Sequence, residues 1–294
     1  MGALQGVYLP IITPFLDGEL DLESYQNLVR HYLGKGISGL VPMGTTGESH
    51  AITEVEFEKI IESTLEITNR SVPVYIGIGG NITTKVIEKM KKVEPYPIDG
   101  ILSVCPYYNR PGQKGLSEHF LKLSEATDLK IIIYNIPYRT GVNLQNETLF
   151  RLAELSNIIG VKDSCGDIKQ TMDLIFNKPD DFSVLTGEDI LFYTTTVNGG
   201  DGGILAASHL VTESYLRTFQ LIKENNHQAA LNEWRRISKL IPLLFEETNP
   251  GPIKHCLRQL DLIRSSETRL PITGVSNELG ERLNYTLKRF IGNV

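Results

Sequence analysis

The chain has few cysteines and lacks long apolar runs. Among its 294 residues there are three cysteines, Cys105, Cys165 and Cys256, which lie far apart. An odd number of widely spaced thiols argues against a disulfide framework and favours a reduced, cytoplasmic protein. No apolar run approaches the roughly 18 residues of a membrane span, and the N-terminal segment lacks the pattern of a signal peptide.

Positive charge is also scarce. The 29 lysines and arginines are outnumbered by 35 aspartates and glutamates, which leaves a net charge of -6 and predicts no basic surface for nucleic acid. The six histidines show no metal-ligand spacing. Gly77-Ile78-Gly79-Gly80 continues into Asn81 and does not complete a dinucleotide fingerprint. We therefore expect neither a catalytic metal nor an organic cofactor.

Short apolar runs alternate with amphipathic stretches along most of the chain. Rich in Ile and Val, the runs resemble strands that are buried on both faces. They begin near Tyr8, Ser38, Pro73, Asp99, Lys130, Asn157, Ser183 and Asp201. A doubly wound open sheet could give this pattern, but eight strands in nearly regular succession favour a (β/α)8 TIM barrel.

The stretches between the runs have helical periodicity. Tyr25, Leu28, Val29 and Tyr32 recur on one helical face, and Thr53 with Glu56 predicts a capping box at the start of the next helix. After about residue 225 no strand-like run remains. We therefore predict a catalytic barrel over 1-224 and a C-terminal helical appendage over 225-294.

Lys162 ends one of the buried runs, Ile158–Val161. Burial disfavours the charged form of a lysine and lowers its pKa, and a neutral amine is a nucleophile toward ketones. A strand-end lysine more commonly extends its ammonium to solvent. The position of Lys162 alone therefore favours a structural role.

The other residues that follow strand ends change this interpretation. In a TIM barrel the active site lies at the C-terminal ends of the strands. The segments found there are Gly44-Thr45-Thr46-Gly47-Glu48, Gly77–Asn81, Pro106–Pro111, Tyr134-Asn135 with Pro137 and Arg139, Lys162-Asp163-Ser164, and Thr186–Asp189. Hydroxyl groups, tyrosines, an arginine and the lysine would thus share one rim.

This set supports one kind of chemistry. Backbone N–H groups in a glycine-flanked turn can bind a small carboxylate, which suits Thr45 and Thr46, and Arg139 can bind a second carboxylate. Tyrosine and threonine hydroxyls can relay protons. Each feature alone is commonly a turn, core packing or a surface charge, but their joint placement favours Schiff-base catalysis by Lys162.

Three of these segments resemble the signatures of the dihydrodipicolinate synthase family, which belongs to the pyruvate-dependent class I aldolases. They are Gly44–Glu48, Tyr134-Asn135-Ile136-Pro137 with Arg139-Thr140-Gly141, and Gly160–Ser164. The resemblance extends over essentially the whole chain. It implies condensation of pyruvate with L-aspartate 4-semialdehyde to 4-hydroxy-tetrahydrodipicolinate, the committed step of diaminopimelate and lysine biosynthesis.

The resemblance also implies roles for single residues. Lys162 would form the imine with pyruvate, whose carboxylate would be bound by the N–H groups of Thr45 and Thr46. Tyr134, Thr45 and Tyr108 would form a proton relay. Tyr108 would come from the neighbouring subunit of a tight dimer, and two dimers would form a tetramer.

Substrate recognition is implied for three further residues. Arg139 would guide the carboxylate of aspartate semialdehyde at the mouth of the barrel. Gly187 and Ile204 would line the pyruvate pocket. No cofactor is implied beyond the covalent lysine–pyruvate imine.

Many bacterial members of the family bind lysine as a feedback inhibitor at the tight-dimer interface. Positions of that site correspond here to Ser49, His50, Asn81, Lys85 and Tyr107. Lys85 replaces a glutamate that binds the ammonium of the inhibitor, and Phe57 replaces a common histidine. A like charge should repel the ligand, and we therefore expect weak or absent inhibition by lysine.

Two other functions are compatible with parts of this pattern. N-acetylneuraminate lyase and keto-deoxy sugar acid aldolases would share Lys162, Tyr134 and the barrel, but they commonly have serine-threonine in place of Thr45-Thr46 and lack Arg139. A non-catalytic barrel should have lost part of the reactive set. The complete set therefore favours the synthase.

Overall fold

Eight parallel strands with helices between them form a nearly closed (β/α)8 barrel in the computed structural model, which describes residues 4–291. The barrel strands are β1 (Gly6–Leu9), β4 (Gly39–Leu40), β5 (Tyr75–Gly77), β6 (Gly100–Val104), β7 (Lys130–Asn135), β8 (Ile158–Asp163), β9 (Ser183–Thr186) and β10 (Gly202–Ile204). A separate antiparallel hairpin contains β2 (Phe15–Leu16) and β3 (Glu19–Leu20). The predicted barrel is confirmed.

The strand order in the sheet is β4-β1-β10-β9-β8-β7-β6-β5. The side chains of β7 are nearly all buried, and those of β9 entirely so. This agrees with the apolar character of the runs, since strands of a parallel barrel are covered on both faces. All eight predicted strands are present, and those predicted at Lys130 and Ser183 begin at these residues.

Helices follow the strands and also predominate in the described part of the C-terminal region. Within the described range they are α1 (Leu22–Gly34), α2 (Glu54–Thr68), α3 (Thr83–Val93), α4 (Gln113–Glu125), α5 (Pro137–Thr140), α6 (Asn146–Ala153), α7 (Ile168–Asn177), α8 (Phe192–Val197), α9 (Ser208–Lys223), α10 (His227–Ile237), α11 (Gly251–Gln259) and α12 (Asn277–Ile291). Short 3-10 helices cover Ser49–Ala51, Asp189–Leu191 and Pro242–Phe245.

Local sequence signals account for several of these elements. The predicted face of α1 is buried at Tyr25, Leu28, Val29 and Tyr32. The predicted capping box at the start of α2 is present, because Thr53 and Glu56 each bond the backbone N–H of the other. Reciprocal bonds of this kind satisfy N–H groups that a helix start leaves unpaired.

The contacts within the chain divide it into two compact units. The first unit combines the chain up to Tyr8 with Pro73–Leu205, and the second combines Leu9–Val72 with the chain from Ala206. Strands β5 to β10 lie in the first unit, and helices α1, α2 and α9 to α12 in the second. The predicted boundary between the barrel and the helical appendage, after residue 224, stays a prediction.

No helix among residues 4–291 combines the length and the apolar character needed to cross a membrane.

Candidate active site

Lys162 and Tyr134 lie next to each other near the C-terminal ends of two adjacent strands. They are register partners in the parallel pair of β8 and β7. Both side chains are buried, with 6% of each residue exposed. The Nζ atom of Lys162 lies 4.3 Å from the centre of the Tyr134 ring. Strand pairing thus brings an amine and a phenol together in the first unit.

Burial lowers the pKa of Lys162 to about 8, because its surroundings solvate the ammonium poorly. The negative charges of Asp189 and Glu188 oppose this effect, and the positive charge of Arg139 adds to it. Burial also raises the pKa of Tyr134, so that its phenol stays protonated at neutral pH. The pair therefore combines a partly neutral amine with a hydroxyl that can donate a proton.

Gly187 leaves space for the lysine side chain just after β9. Its N–H donates a hydrogen bond to the carbonyl oxygen of Asp163 at 2.7 Å. A β-carbon at Gly187 would lie 2.6 Å from Cε of Lys162 and would overlap Oγ of Ser164. Any side chain here would displace the lysine. Ile204 lies on β10, also in the first unit, and is fully buried.

Two acidic residues follow Gly187 in the sequence. Glu188 is half-buried, whereas Asp189 is 4% exposed. Burial and the nearby charge of Asp189 raise the pKa of Glu188 to about 7. The hydroxyl of Ser164 lowers the pKa of both Glu188 and Tyr134.

The sequence alone assigned no individual function to Ser164, Glu188 or Asp189. Their position directly after a strand end was the available signal. What the sequence did not show is that Glu188 and Asp189 act on the charge of Lys162.

Arg139 lies on the short helix α5 and is exposed. Its guanidinium carbon lies 5.6 Å from the ring centre of Tyr138. The charge of Arg139 reaches both Lys162 and Tyr134, because it lowers the pKa of each. An exposed guanidinium thus lies near enough to Lys162 to affect its pKa, and a guanidinium can bind a carboxylate in two hydrogen bonds.

The loop after β6 presents two tyrosines to solvent. Tyr107 is 42% exposed, and Tyr108 is 89% exposed with a backbone φ of 75°. Asn109 anchors the loop, since its amide donates to the carbonyl oxygen of Asn81 at 2.9 Å. So exposed a phenol is available to a partner outside this chain, as the predicted dimer requires.

The predicted carboxylate-binding turn lies in the second unit. Its backbone is left-handed at Met43 and Glu48, with φ values of 61° and 51°. Thr46 is 4% exposed, and its Oγ1 accepts a hydrogen bond from the amide of Asn249 at 2.9 Å. Thr45 is half-buried. The proton relay of Tyr134, Thr45 and Tyr108 stays a prediction.

The candidate inhibitor-binding residues lie in both units. In the second unit, Ser49 and His50 are exposed on a 3-10 helix. In the first unit, Asn81 contacts the tyrosine loop, and Lys85 pairs with Glu88 on the surface of α3 at 2.9 Å. The ammonium of Lys85 is therefore already paired with a carboxylate. A role in regulation stays a prediction for all of these positions.

Residues 4–291 contain no group of three or more histidine, cysteine, aspartate or glutamate side chains arranged to hold a metal ion. The candidate site is instead composed of an amine, hydroxyl groups, carboxylates and a guanidinium. Such groups can perform covalent and acid–base chemistry directly.

Comparison with known proteins gives consistent matches over the whole chain. The model of the Dihydrodipicolinate synthetase family matches residues 3–290. A relative described as 4-hydroxy-tetrahydrodipicolinate synthase 2, from Clostridium acetobutylicum, is 52% identical over 284 residues, covering 97% of this chain and 99% of the relative.

Solved structures agree with these sequence matches. The crystal structure of dihydrodipicolinate synthase from Thermotoga maritima superposes with a TM-score of 0.96 at 38% identity, covering 99% of each chain. The chloride-inhibited dihydrodipicolinate synthase from Acinetobacter baumannii, complexed with pyruvate, gives a TM-score of 0.95 at 33% identity. This match covers 99% of the present chain and 100% of the other.

Proposed function

Because this chain belongs to the dihydrodipicolinate synthetase family, we propose that it condenses pyruvate with L-aspartate 4-semialdehyde to give 4-hydroxy-tetrahydrodipicolinate. The observation that carries the proposal is the buried Lys162, whose lowered pKa and contact with Tyr134 suit an imine-forming amine. The product would serve diaminopimelate and lysine biosynthesis, as the family resemblance implies.

The first step forms the covalent intermediate. The lone pair of the Lys162 amine attacks the ketone carbon of pyruvate, and the carbinolamine loses water to give an iminium ion. The cationic nitrogen withdraws electrons, so the methyl group of pyruvate loses a proton, the C–H electron pair forms a C=C bond, and the iminium becomes a neutral enamine. The protonated phenol of Tyr134 can donate a proton, and it would accept one only while passing its own along the proposed relay.

The second step joins the two substrates. The enamine carbon attacks the aldehyde carbon, forming a carbon–carbon bond, and the aldehyde oxygen becomes a hydroxyl group. The amine of the semialdehyde then attacks the iminium carbon and displaces Lys162 as the ring closes. One water is released per turnover, and the lysine is regenerated.

The remaining residues are proposed to bind and orient substrates. The N–H groups of Thr45 and Thr46 would bind the carboxylate of pyruvate, and Arg139 the carboxylate of the semialdehyde. Tyr108 would complete the relay with Tyr134 and Thr45 from a partner subunit. Its exposure supports this assignment. Gly187 and Ile204 would shape the pyruvate pocket.

Several properties of the whole protein belong to the same proposal. The reaction as written needs no cofactor. We propose a homotetramer built from two tight dimers, because only a dimer would supply the partner's tyrosine. A cytoplasmic location follows from the proposed place in amino-acid biosynthesis. The catalytic barrel would end at residue 224, with the helical appendage following it.

The test compares two reactions of the purified protein. Pyruvate is mixed with aspartate semialdehyde in one and with N-acetylmannosamine in the other, with Lys162→Ala as the control. Turnover of the semialdehyde alone, abolished in the control, is the expected result. Turnover of the sugar alone would instead identify a sugar acid lyase with the same imine chemistry. Failure to trap pyruvate with borohydride would favour a non-catalytic barrel.

A further inference from the structure

A side chain from the C-terminal part of the second unit forms a hydrogen bond with the turn that contains Thr45 and Thr46. Asn249 is separated from Thr46 by 203 positions, yet its side-chain amide donates to Oγ1 of Thr46 at 2.9 Å. Both residues are nearly inaccessible, with 5% of Asn249 and 4% of Thr46 exposed. A buried hydrogen bond of this kind restricts the side chain of Thr46 to one orientation.

A second connection runs through Glu48, the last residue of the turn. Its side chain is fully buried and forms an ion pair with Lys254, which is also fully buried. The other carboxylate oxygen of Glu48 accepts a hydrogen bond from the backbone N–H of Arg269 at 3.0 Å. Since a buried charge needs a close partner, the Lys254 ammonium determines where the Glu48 side chain lies.

The backbone of the turn explains why its position matters. The hydrogen bonds within it start from the N–H groups of Gly47, Glu48 and Ser49 and end on the carbonyl oxygens of Gly44 and Thr45. Among the backbone hydrogen bonds of turns and loops in the described chain, none has the N–H group of Thr45 or Thr46 as its donor. They remain available to a ligand.

The conformation of the turn is not one that its own sequence favours. Glu48 has a φ of 51°, a region that residues with a β-carbon seldom occupy. A β-carbon on Gly47 would lie 3.1 Å from the carbonyl oxygen of Ile11 and from the N atom of Met43. Such a backbone persists only where surrounding contacts maintain it, and Asn249 and Lys254 supply two of those contacts.

We propose that Asn249 and Lys254 are positioning residues for pyruvate, which hold the Thr45–Thr46 turn in the shape that presents its N–H groups to the carboxylate. The inference rests on the proposed function. It gives the helical appendage a part in substrate binding, in addition to any part in stability. Neither residue would touch the reacting atoms.

The central test is a double-mutant cycle with Asn249→Ala and Thr46→Val. The valine variant keeps the backbone N–H of position 46 and removes only the side-chain acceptor. Each single change should raise KM for pyruvate about three- to tenfold, which corresponds to the net worth of one hydrogen bond. The double variant should be no worse than the poorer single one, because both changes remove the same bond.

A matched control separates positioning from stability. Asn284→Ala removes the hydrogen bond between His255 on α11 and Asn284 on α12, which is also 2.9 Å long but does not involve the turn. KM for pyruvate should not change in this variant, even if its melting temperature falls. In Asn249→Ala, KM for aspartate semialdehyde and kcat should change less than KM for pyruvate.

Lys254 is tested with its partner, because removing one charge of a buried pair alone can prevent folding. Lys254→Met with Glu48→Gln removes both charges and should fold better than Lys254→Met alone. The double variant should need a higher pyruvate concentration than the unmodified protein to reach half-maximal trapping by borohydride.

The outcomes distinguish this inference from the proposed function. If the unmodified protein traps pyruvate and Asn249→Ala and Thr46→Val leave KM for pyruvate unchanged, the positioning role is wrong and the proposed function stands. The same conclusion follows if the two effects add. If the unmodified protein traps no pyruvate, both are overturned. If Asn249→Ala does not fold, Thr46→Val alone is the test. A raised KM for pyruvate in that variant would support the positioning role, and an unchanged KM would contradict it.

Discussion

The Nζ atom of Lys162 lies 4.3 Å from the ring centre of Tyr134, because the two residues are register partners on adjacent parallel strands. The amine is therefore held against an aromatic face and away from water, although neither residue is near the other in sequence. The ring can interact favourably with the charged amine, and burial favours the neutral one. Strand register thus sets the environment of the proposed nucleophile.

Trapping of pyruvate should depend on pH through Lys162. Its pKa is lowered to about 8, so the neutral amine predominates above that pH and the ammonium below it. The initial rate of borohydride-trapped adduct should therefore rise with pH and level off above about 8, as measured by intact mass. Lys162→Arg should give no adduct at any pH. A rise centred near the ordinary lysine pKa of 10.5 would contradict this assignment.

Gly187→Ala should damage catalysis by displacing Lys162. The new β-carbon would lie 2.6 Å from Cε of the lysine, so the amine must move. A shift of about 1 Å in a reacting group can cost on the order of a hundredfold in rate, and we expect kcat/KM to fall by that order. Gly34→Ala is the matched control, because no atom lies within 4 Å of the added carbon apart from the glycine, its chain neighbours and the adjacent backbone of its own helix. Equal activity of the two variants would argue against the proposed packing.

Glu188→Gln should move the pH dependence of trapping to lower pH. The negative charge of Glu188 raises the pKa of Lys162, and glutamine removes that charge while keeping a similar shape. The neutral amine should then appear at lower pH than in the unmodified protein. Glu147→Gln, at an exposed surface pair with Arg151, should leave the profile unchanged. A shift toward higher pH would contradict the electrostatic role given to Glu188.

Lysine should inhibit the enzyme weakly or not at all. Lys85 is exposed and paired with Glu88, and its ammonium would repel the ammonium of a bound lysine. Lys85→Glu should strengthen inhibition, as measured by titrating lysine at a fixed pyruvate concentration. Lys91→Glu makes the same charge change on α3 and should have no effect. Half-inhibition of the unmodified enzyme at micromolar lysine would contradict this prediction.

Glu56 should stabilise the protein at neutral pH through Arg269, and acid should remove this contribution. Two hydrogen bonds, of 2.7 and 2.6 Å, join the guanidinium to the carboxylate. Chiefly through this contact, the pKa of Glu56 falls to about 2 from the usual 4.5. A carboxyl with a lowered folded-state pKa stabilises the fold above its unfolded pKa and loses this contribution as pH falls through the folded one.

The measurement compares urea unfolding of the unmodified protein and Glu56→Gln. At pH 7 the variant should lose about 1–3 kcal/mol of unfolding free energy, the worth of a charged hydrogen-bonded contact. The difference should shrink between pH 4.5 and 2, the interval between the two pKa values. Removing the surface pair of Arg258 and Asp261 with Arg258→Met should cost much less. A difference that does not depend on pH would exclude the ionic explanation.

Much of the fold could be predicted because its signals are local. An apolar run at Lys130 or Ser183 needs only its own composition to indicate a buried strand, and both strands begin where predicted. The hairpin of β2 and β3 was not predicted, because two strands of two residues each carry too little pattern. The position of Lys162 at a strand end was also visible, because strand and loop alternate along the chain.

The sequence by itself determined the succession of strands and helices and the placement of Lys162 near a strand end, since periodicity and residue order carry both. Only the tertiary structure decided how strongly each group is perturbed. The pKa of Lys162 depends on burial and on Glu188 and Asp189, and the bond from Asn249 to Thr46 spans 203 positions. Such effects depend on distance in space and on exclusion of water, and neither quantity is written in the order of the residues.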